Sequence, residues 1–222
     1  GGYAEFTKRS QKHVHVVDSQ LSDAEIATFA TSYITAENML ERAGVKQGDS
    51  VLITGASGGV GSALIQLVNR RGATSIALSS KSKMDTLKEI GAHHVIDRDC
   101  VDLKAELRTA IGKDTVSALA DVVGGDSWPT WLDCIERGGR LTCAGAIAGP
   151  MVAFDLRTFY LRDLVFTGAT IVPVGLFAKL VGYIERGEIK PLLAASYPLA
   201  DLHDTQRAFI AKSHIGNIVV CP

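Results

Sequence analysis

A cluster of four glycines between a strand-like and a helix-like segment constrains the fold of this chain most. Residues 51–54, VLIT, are apolar or β-branched and are typical of a buried strand. From 59 to 71, apolar side chains recur at helical spacing until Gly72 ends the run. The glycines between and within these segments are Gly55, Gly58, Gly59 and Gly61. A strand that turns at once into an amphipathic helix predicts a βαβ unit.

The same alternation of strand-like and helix-like segments continues along the chain. Further strands are predicted at 76–79, 94–97, 118–123, 140–146 and 164–171, and further helices at 82–90, 101–111, 127–137 and 175–187. Strands that alternate with helices pair in parallel, with right-handed crossovers. The prediction is therefore an α/β fold, a Rossmann doubly wound parallel sheet with flanking helices.

The two ends of the chain have a different pattern. Short strands are predicted at 3–9 and 13–17, and Ser22 with Glu25 forms a capping box that begins a helix ending at Gly44. Beyond Pro191 a helix and a strand follow outside the alternation. These ends predict a second, incomplete unit around the sheet.

The composition favours a globular protein and gives no sign of a large charged or membrane partner. Hydrophobic residues make up 46% and charged residues 21% of the 222 residues, and the formal net charge is -1. The sequence has no basic patch that would suggest a nucleic-acid partner. The longest apolar run, 164–177, contains two glycines and a proline and is too short to span a bilayer. We expect a cytoplasmic protein with a small-molecule substrate, no nucleic-acid partner and no membrane partner.

The four cysteines do not have the spacing of a metal or redox site. They stand far apart, at Cys100, Cys134, Cys143 and Cys221, without a C-x-x-C motif or a close histidine pair. We interpret them as buried free thiols and assign no metal ligand in this chain.

The glycine loop predicts a dinucleotide site. A strand that becomes a helix aims free backbone N–H groups and the positive end of the helix dipole at one point, which suits a pyrophosphate. In the pattern G-x-G-x-x-G, Ala56 replaces the first glycine, while Gly58 and Gly61 match the other two. The predicted contacts in the loop are Ala56, Ser57, Gly58, Gly59, Val60 and Gly61. Close packing of strand and helix is the alternative explanation for the glycines.

Two other nucleotide-binding loops are excluded by missing residues. A P-loop would end in Lys-Ser or Lys-Thr, and neither follows the glycines. The loop also satisfies T-G-x-x-x-G-x-G and so resembles that of short-chain dehydrogenases, which rely on a Tyr-x-x-x-Lys pair. The residues four positions after Tyr33, Tyr160, Tyr183 and Tyr197 are Glu37, Leu164, Gly187 and Asp201. No such pair is formed.

Several ordered segments resemble the medium-chain dehydrogenase/reductase superfamily. They are GGYAEF, TSYITAENMLERAGVKQGDSVLITGASGGVGSALIQL, EIGAHHVID, DVVGG, GGRLTCAGA, RGEIKPLL and GNIVVCP. The loop form is closer to the quinone-reductase-like and enoyl-reductase-like branches than to liver-type alcohol dehydrogenases. By this resemblance, 1–20 and 193–222 are remnants of a GroES-like barrel catalytic domain, and 21–192 is the dinucleotide-binding domain. We expect a fragment that lacks most of the catalytic domain.

The resemblance implies hydride transfer between a nicotinamide and a carbonyl, quinone or activated alkene. Zinc would be bound only through residues outside this chain, and no general acid is assigned. This chain by itself is expected to be inactive. Two alternatives stay open: a zinc-dependent alcohol dehydrogenase whose metal half is missing, and a dinucleotide-binding module without catalysis.

The end of the predicted strand 76–79 favours NADP(H). NAD enzymes place an acidic residue there, whereas this chain has Ser79, Ser80, Lys81 and Lys83, which suit a 2′-phosphate. Solvent-exposed lysines are the alternative explanation.

By resemblance, other residues line the nicotinamide and its ribose. They are Thr35, Val123, Gly124, Ala144, Gly145 and Ala146, and Thr35 could equally be a helical residue on a buried face. Trp128 and Trp131 are interpreted as packing residues and Tyr183 as a surface residue. Strand 164–171 leaves an apolar sheet edge, which together with the resemblance predicts a homodimer.

Overall fold

The structure is a computed structural model that describes residues 2–222, apart from the side chain of Lys12. Its main sheet has six strands, β1 Ser50–Ile53, β2 Thr74–Ser79, β3 His94–Asp97, β4 Val116–Asp121, β5 Ile135–Cys143 and β6 Val165–Gly168. All neighbours pair in parallel, in the order β3-β2-β1-β4-β5-β6. This is the order of a doubly wound Rossmann sheet, so the predicted fold class is confirmed.

Nine α-helices are found within residues 2–222. They are α1 Asp23–Ala27, α2 Ile34–Arg42, α3 Gly59–Arg70, α4 Met84–Glu89, α5 Leu103–Ile111, α6 Trp128–Asp133, α7 Leu156–Tyr160, α8 Leu176–Glu185 and α9 Leu202–Ala211. A separate two-stranded parallel sheet is made by β7 Leu193–Pro198 and β8 Asn217–Cys221, with α9 between them. The predicted barrel-domain remnants and domain boundaries stay predictions, and Gly1, at the start of the first of them, lies outside the described residues.

Helices cover both faces of the main sheet, which explains why its central strands are apolar throughout. Side chains alternate between faces along a strand. Val51 and Ile53 of β1 face a core shared with α2, α3 and α8. Leu52, between them, faces a second core that includes residues of α5 and α6. A strand buried on both faces cannot show the polar alternation of a surface strand.

The helix predicted before the sheet begins where expected but is not continuous. Ser22 Oγ accepts from the Glu25 amide, and the Glu25 carboxylate accepts from the Ser22 amide at 2.9 Å, so the capping box is confirmed. A π-helical turn at Phe29–Tyr33 then separates α1 from α2, which the sequence did not predict. Gly44 follows α2 with φ of 60°.

Two predictions of secondary structure are wrong. Residues 3–9 and 13–17 are not strands, because no strand within residues 2–222 pairs with them; the segment instead has a 3-10 turn at Gln11–His13. The helix predicted at 127–137 ends at Asp133, and its last residues belong to β5. Gly138 has φ of 72°, a left-handed conformation that a helix interior cannot accommodate.

Tyr183 is buried, contrary to the predicted surface position. Only 3% of it is exposed. Its hydroxyl donates to Glu37 Oε1 at 3.3 Å, and the Arg70 guanidinium lies 3.4 Å from its ring centre. A helix that packs on two other helices buries more of its circumference than its apolar stripe indicates.

Candidate functional site

The candidate site lies at the carboxyl edge of the main sheet, where β1, β2, β4 and β5 end side by side. The chain order reverses between β1 and β4, the position where Rossmann folds form a ligand crevice. The residues directly after these strands are the predicted ones: the glycine loop after β1, Ser79 and Ser80 at the end of β2, Val123 and Gly124 after β4, and 144–146 after β5. The structure therefore brings the predicted segments to one edge.

Three of the four loop glycines are required by packing. An added Cβ on Gly61 would lie 2.6 Å from Ala56 Cα and collide with the Gly55 carbonyl. On Gly59 it would collide with Ser32 Oγ and Asn217 Oδ1. Gly55 has φ of 58°, and its Cβ would lie 2.9 Å from Val122 Cγ2. The packing alternative therefore accounts for these three positions.

Gly58 is different, because the fold does not require it to be a glycine. Its φ and ψ are -76° and 171°, which any residue adopts, and its added Cβ would meet only the Gly55 carbonyl, at 3.4 Å. Gly58 is exposed and caps α3 without a side-chain hydrogen bond. The Val60 and Gly61 amides donate to no acceptor within residues 2–222. Free amides around a bare backbone fit a phosphate group.

The remaining loop residues and Thr35 have mixed surroundings. The Ala56 side chain is fully buried in the core, so this residue faces a ligand only through its backbone. Ser57 is half-buried, and its carbonyl accepts from the Gly216 amide at 3.1 Å. Thr35 is half-buried in α2, one helical turn after Ser32, whose side chain packs against Gly59. Gly216 and Asn217 therefore adjoin the loop; both belong to the segment GNIVVCP, but its pattern did not indicate this contact.

The end of β2 holds hydroxyl groups and no acidic side chain. Ser79 is 4% exposed, and its Oγ has no hydrogen-bond partner within residues 2–222. Ser80 Oγ lies 3.3 Å from Ser82 Oγ. An acidic side chain next to this segment, Asp97 at the end of β3, forms an ion pair with Lys81, with Oδ2 3.6 Å from Lys81 Nζ. Lys81 is otherwise free, with 84% of its side chain exposed.

Lys83 links this edge to the loop before β8. Its ammonium group donates to the Lys212 carbonyl at 2.7 Å and to the His214 carbonyl at 2.9 Å. Burial lowers the pKa of Lys83, and the nearby charges of Arg98 and Lys212 lower it further. Arg98 follows β3 and could have been found as a strand-end residue, whereas Lys212 is too distant in sequence to give any signal.

On the other side of the reversal point, a fully buried carboxyl group organises the end of β4. Asp121 Oδ1 accepts from Thr54 Oγ1 at 2.6 Å and from the Val123 amide at 2.8 Å. Its Oδ2 accepts from the Gly124 amide at 3.2 Å and from Trp128 Nε1 at 3.1 Å. The segment DVVGG contains Asp121, but its spacing alone did not indicate these contacts.

The turn after β5 packs closely on the turn after β4. An added Cβ on Gly145 would lie 2.9 Å from the Val122 carbonyl, and one on Gly124 would lie 2.6 Å from the Gly149 carbonyl. Cys143 Sγ donates to the Gly145 carbonyl at 3.3 Å, and burial raises the pKa of this thiol. Ala144 is half-buried and Ala146 is exposed. Both turns are therefore fixed by close backbone contacts.

The four cysteines form no disulfide within residues 2–222. All four cysteines are free; Cys134 is buried, and the other three are half-buried. Burial raises the pKa of Cys134 to about 11. Within residues 2–222, no three His, Cys, Asp or Glu side chains lie close enough to hold a metal ion. No helix in the same part of the chain is long and apolar enough to cross a membrane.

The strand order and the glycine turn after the first strand define the Rossmann class of nucleotide-binding folds. A family model described as zinc-binding dehydrogenase matches residues 59–186, more than half of the chain. The chain belongs to this family, within the medium-chain dehydrogenase/reductase superfamily, as the sequence resemblance indicated.

Comparison with curated proteins gives relatives with two kinds of described activity. The chain is 26% identical to the quinone oxidoreductase-like protein 2 homolog of Nematostella vectensis, covering 99% of this chain and 64% of that protein. It is 27% identical to a 2-haloacrylate reductase of Burkholderia, covering 92% of this chain and 65% of that protein. The chain thus spans just under two thirds of the length of these relatives.

Solved structures give the same fold. A protein of Sinorhizobium meliloti that was assigned as an alcohol dehydrogenase is 45% identical, with a TM-score of 0.91 over 94% of this chain and 58% of that one. The 2-octenoyl-CoA carboxylase reductase CinF, solved with NADP and 2-octenoyl-CoA, is 25% identical, with a TM-score of 0.83 over 90% of this chain and 50% of that one.

Proposed function

We propose that the protein is an NADP(H)-dependent oxidoreductase that transfers hydride between the nicotinamide and a carbonyl, quinone or activated alkene. The end of β2 carries the proposal, because hydroxyl groups and lysines stand where an acidic side chain would accept hydrogen bonds from the ribose of NAD. Relatives described as a quinone oxidoreductase-like protein and a 2-haloacrylate reductase support the substrate classes.

The residues of the carboxyl edge fit such a cofactor. Gly58 leaves backbone open beside the unpaired amides of Val60 and Gly61, which suits the pyrophosphate. The Lys81 side chain is 84% exposed and pairs only loosely with Asp97, at 3.6 Å, and Lys83 uses two of the three N–H groups of its ammonium, which leaves one for a phosphate oxygen. The bound cofactor would supply the hydride, while these residues would bind and orient it.

The test compares the affinities of NADPH and NADH by calorimetry. A charge-assisted hydrogen bond contributes about 1.5 to 3 kcal/mol, so Lys81→Ala should weaken NADPH binding about tenfold or more and leave NADH binding nearly unchanged. Lys83→Ala should weaken NADPH binding too. The double variant should reduce the preference for NADPH over NADH further.

Lys88→Ala is the matched control, because Lys88 is an exposed lysine of α4 that pairs with Asp85 at 3.4 Å. Equal losses for NADPH and NADH in the Lys81 and Lys83 variants would contradict a 2′-phosphate contact. A wild-type chain that binds neither cofactor would contradict the proposed function itself.

A zinc-dependent alcohol dehydrogenase is the second candidate. It is favoured by the 45% identity to the Sinorhizobium meliloti protein assigned as an alcohol dehydrogenase. Zinc would then be held by residues other than 2–222, since no metal-binding cluster is found among these. Metal analysis of the protein purified from its native source distinguishes the two: stoichiometric zinc supports this candidate, and its absence supports the quinone-reductase type.

A further inference from the structure

The Asp121 carboxyl group joins three segments of the candidate site that are far apart in sequence. Its partners are Thr54 at the end of β1, the turn at Val123 and Gly124, and Trp128 at the start of α6. Asp121 is 0% exposed. No lysine, arginine or histidine within residues 2–222 forms an ion pair with it; hydroxyl, amide and indole donors satisfy the group, with the Cys143 thiol 4.0 Å from Oδ2.

Burial of a carboxyl group without a cation is costly unless its oxygens are well bonded. Here each oxygen accepts from at least two donors, one of which is Trp128 Nε1. An apolar residue here would leave the Val123 and Gly124 amides and Trp128 Nε1 without an acceptor. The arrangement therefore points to a need for a fixed geometry at this edge of the sheet.

The geometry that Asp121 fixes reaches the glycine loop by direct contact. Thr54, which donates to Asp121, also accepts from the Val122 amide at 3.1 Å, and Gly55 follows it directly. An added Cβ on Gly55 would lie 2.9 Å from Val122 Cγ2 and 3.0 Å from Val123 Cγ2. The turn after β4 and the turn after β1 are thus packed against each other and held by one carboxyl group.

We propose that Asp121 is a positioning residue that sets the turn after β4 against the glycine loop and so shapes the half of the site that receives the nicotinamide. This inference rests on the proposed NADP(H) function. β4 and β2 lie on opposite sides of β1, so the adenosine half, at the end of β2, is separated from the Asp121 cluster. Loss of Asp121 should therefore affect the two halves of the cofactor unequally.

The main experiment measures NADPH and 2′,5′-ADP binding to Asp121→Asn by calorimetry. The asparagine amide would face the donors Gly124 N and Trp128 Nε1, so the turn should move. We expect NADPH affinity to fall about tenfold, the usual consequence of unpaired buried donors, and 2′,5′-ADP affinity to change less than about twofold. Asp126→Asn, an exposed aspartate two residues after Gly124, is the control and should leave both unchanged.

A second pair of variants keeps the test decisive if Asp121→Asn fails to fold. Thr54→Val removes the hydroxyl that bonds Asp121, and Thr54→Ser keeps it. The valine variant should lose affinity for NADPH but not for 2′,5′-ADP. The serine variant should bind both ligands as the wild type does. Equal losses for both ligands, or no loss with valine, would overturn the positioning role while leaving the NADP(H) proposal intact. A wild-type chain that binds neither ligand would overturn both.

Discussion

Gly58 is the one loop glycine whose missing side chain the fold does not need. We predict that Gly58→Val abolishes NADPH binding, because the added side chain would occupy the space beside the free Val60 and Gly61 amides. The melting temperature should change little, since φ of -76° suits valine. Calorimetry measures the NADPH affinity, and thermal unfolding of the same sample measures the melting temperature.

Gly61→Ala is the contrasting variant at the same scale. Its Cβ would collide with the Gly55 carbonyl, so stability and binding should fall together. Unchanged dinucleotide affinity in Gly58→Val would show that the ligand does not approach this loop. A strong loss of stability in Gly58→Val would show that the residue is a packing glycine like its neighbours.

At the scale of the elements, a buried ion pair connects three helices. The Glu37 carboxylate in α2 is fully buried and bonds both Nη atoms of Arg71, at 2.8 Å each, just after α3. Tyr183 of α8 donates to the same carboxylate, and Lys179 Nζ lies 3.7 Å from it. This network fixes how α2, α3 and α8 pack behind the glycine loop.

We predict that Arg71→Met lowers the free energy of unfolding by about 3 kcal/mol, because it leaves Glu37 buried without its main partner. The value is at the lower end of the usual range because Lys179 remains nearby. Glu37→Gln combined with Arg71→Met should recover part of the loss. Urea denaturation measures these values, and a double variant less stable than Arg71→Met would contradict the prediction.

Arg108→Met is the control for the buried pair. Arg108 and Asp114 form an ion pair whose side chains are 53% and 47% exposed. Exposed pairs contribute about 1 kcal/mol or less. If Arg108→Met lowered the free energy of unfolding as much as Arg71→Met does, burial of the ion pair would not be what determines the loss of stability.

The sheet and its carboxyl edge could be predicted because local patterns determine them. The apolar segment at 51–54, the helical stripe that follows and Gly72 are each visible within about 20 residues. The contacts of Asp121 with Thr54, and of Lys83 with the carbonyls before β8, join residues 67 and more positions apart. Such contacts depend on the order of strands in the sheet, which no local pattern contains.

The errors in prediction have the same origin. Residues 135–137 are compatible with a helix that stops at Gly138, but Ile135 pairs with Val116 of β4 and so belongs to β5 instead. Residues 13–17 have the alternation of a strand but no partner within residues 2–222. Local propensity allows a segment more than one secondary structure, and its contacts with other segments determine which one forms.

At the scale of the whole molecule, the edge of the main sheet at β6 is apolar and uncovered within residues 2–222. Most of the exposed large apolar side chains lie between 147 and 174, on both sides of β6, including Val165 at 52% exposure. An open apolar edge of this kind favours pairing with another strand. We propose that two copies associate at β6 about a two-fold axis.

Sedimentation velocity over a range of concentrations tests this association. We predict a wild-type dimer and a Val165→Lys monomer, because a lysine on the edge would place two like charges near the axis. Val101→Lys changes an exposed valine before α5, away from β6, and should stay dimeric. A wild-type chain that is monomeric at every concentration would contradict the proposal.

The contact of Asn217 with Ser32 has a consequence for the order in which the site is made. Asn217 Oδ1 accepts from Ser32 Oγ at 2.5 Å across 185 positions of sequence, and both atoms border Gly59. A ribosome therefore completes the whole Rossmann sheet before it adds the residue that closes one wall of the first turn. In a nascent chain the glycine loop lacks this contact until Asn217 has been synthesised. Contacts between residues so far apart in sequence also form slowly. This wall of the glycine loop is therefore completed only after all six strands of the main sheet have been synthesised.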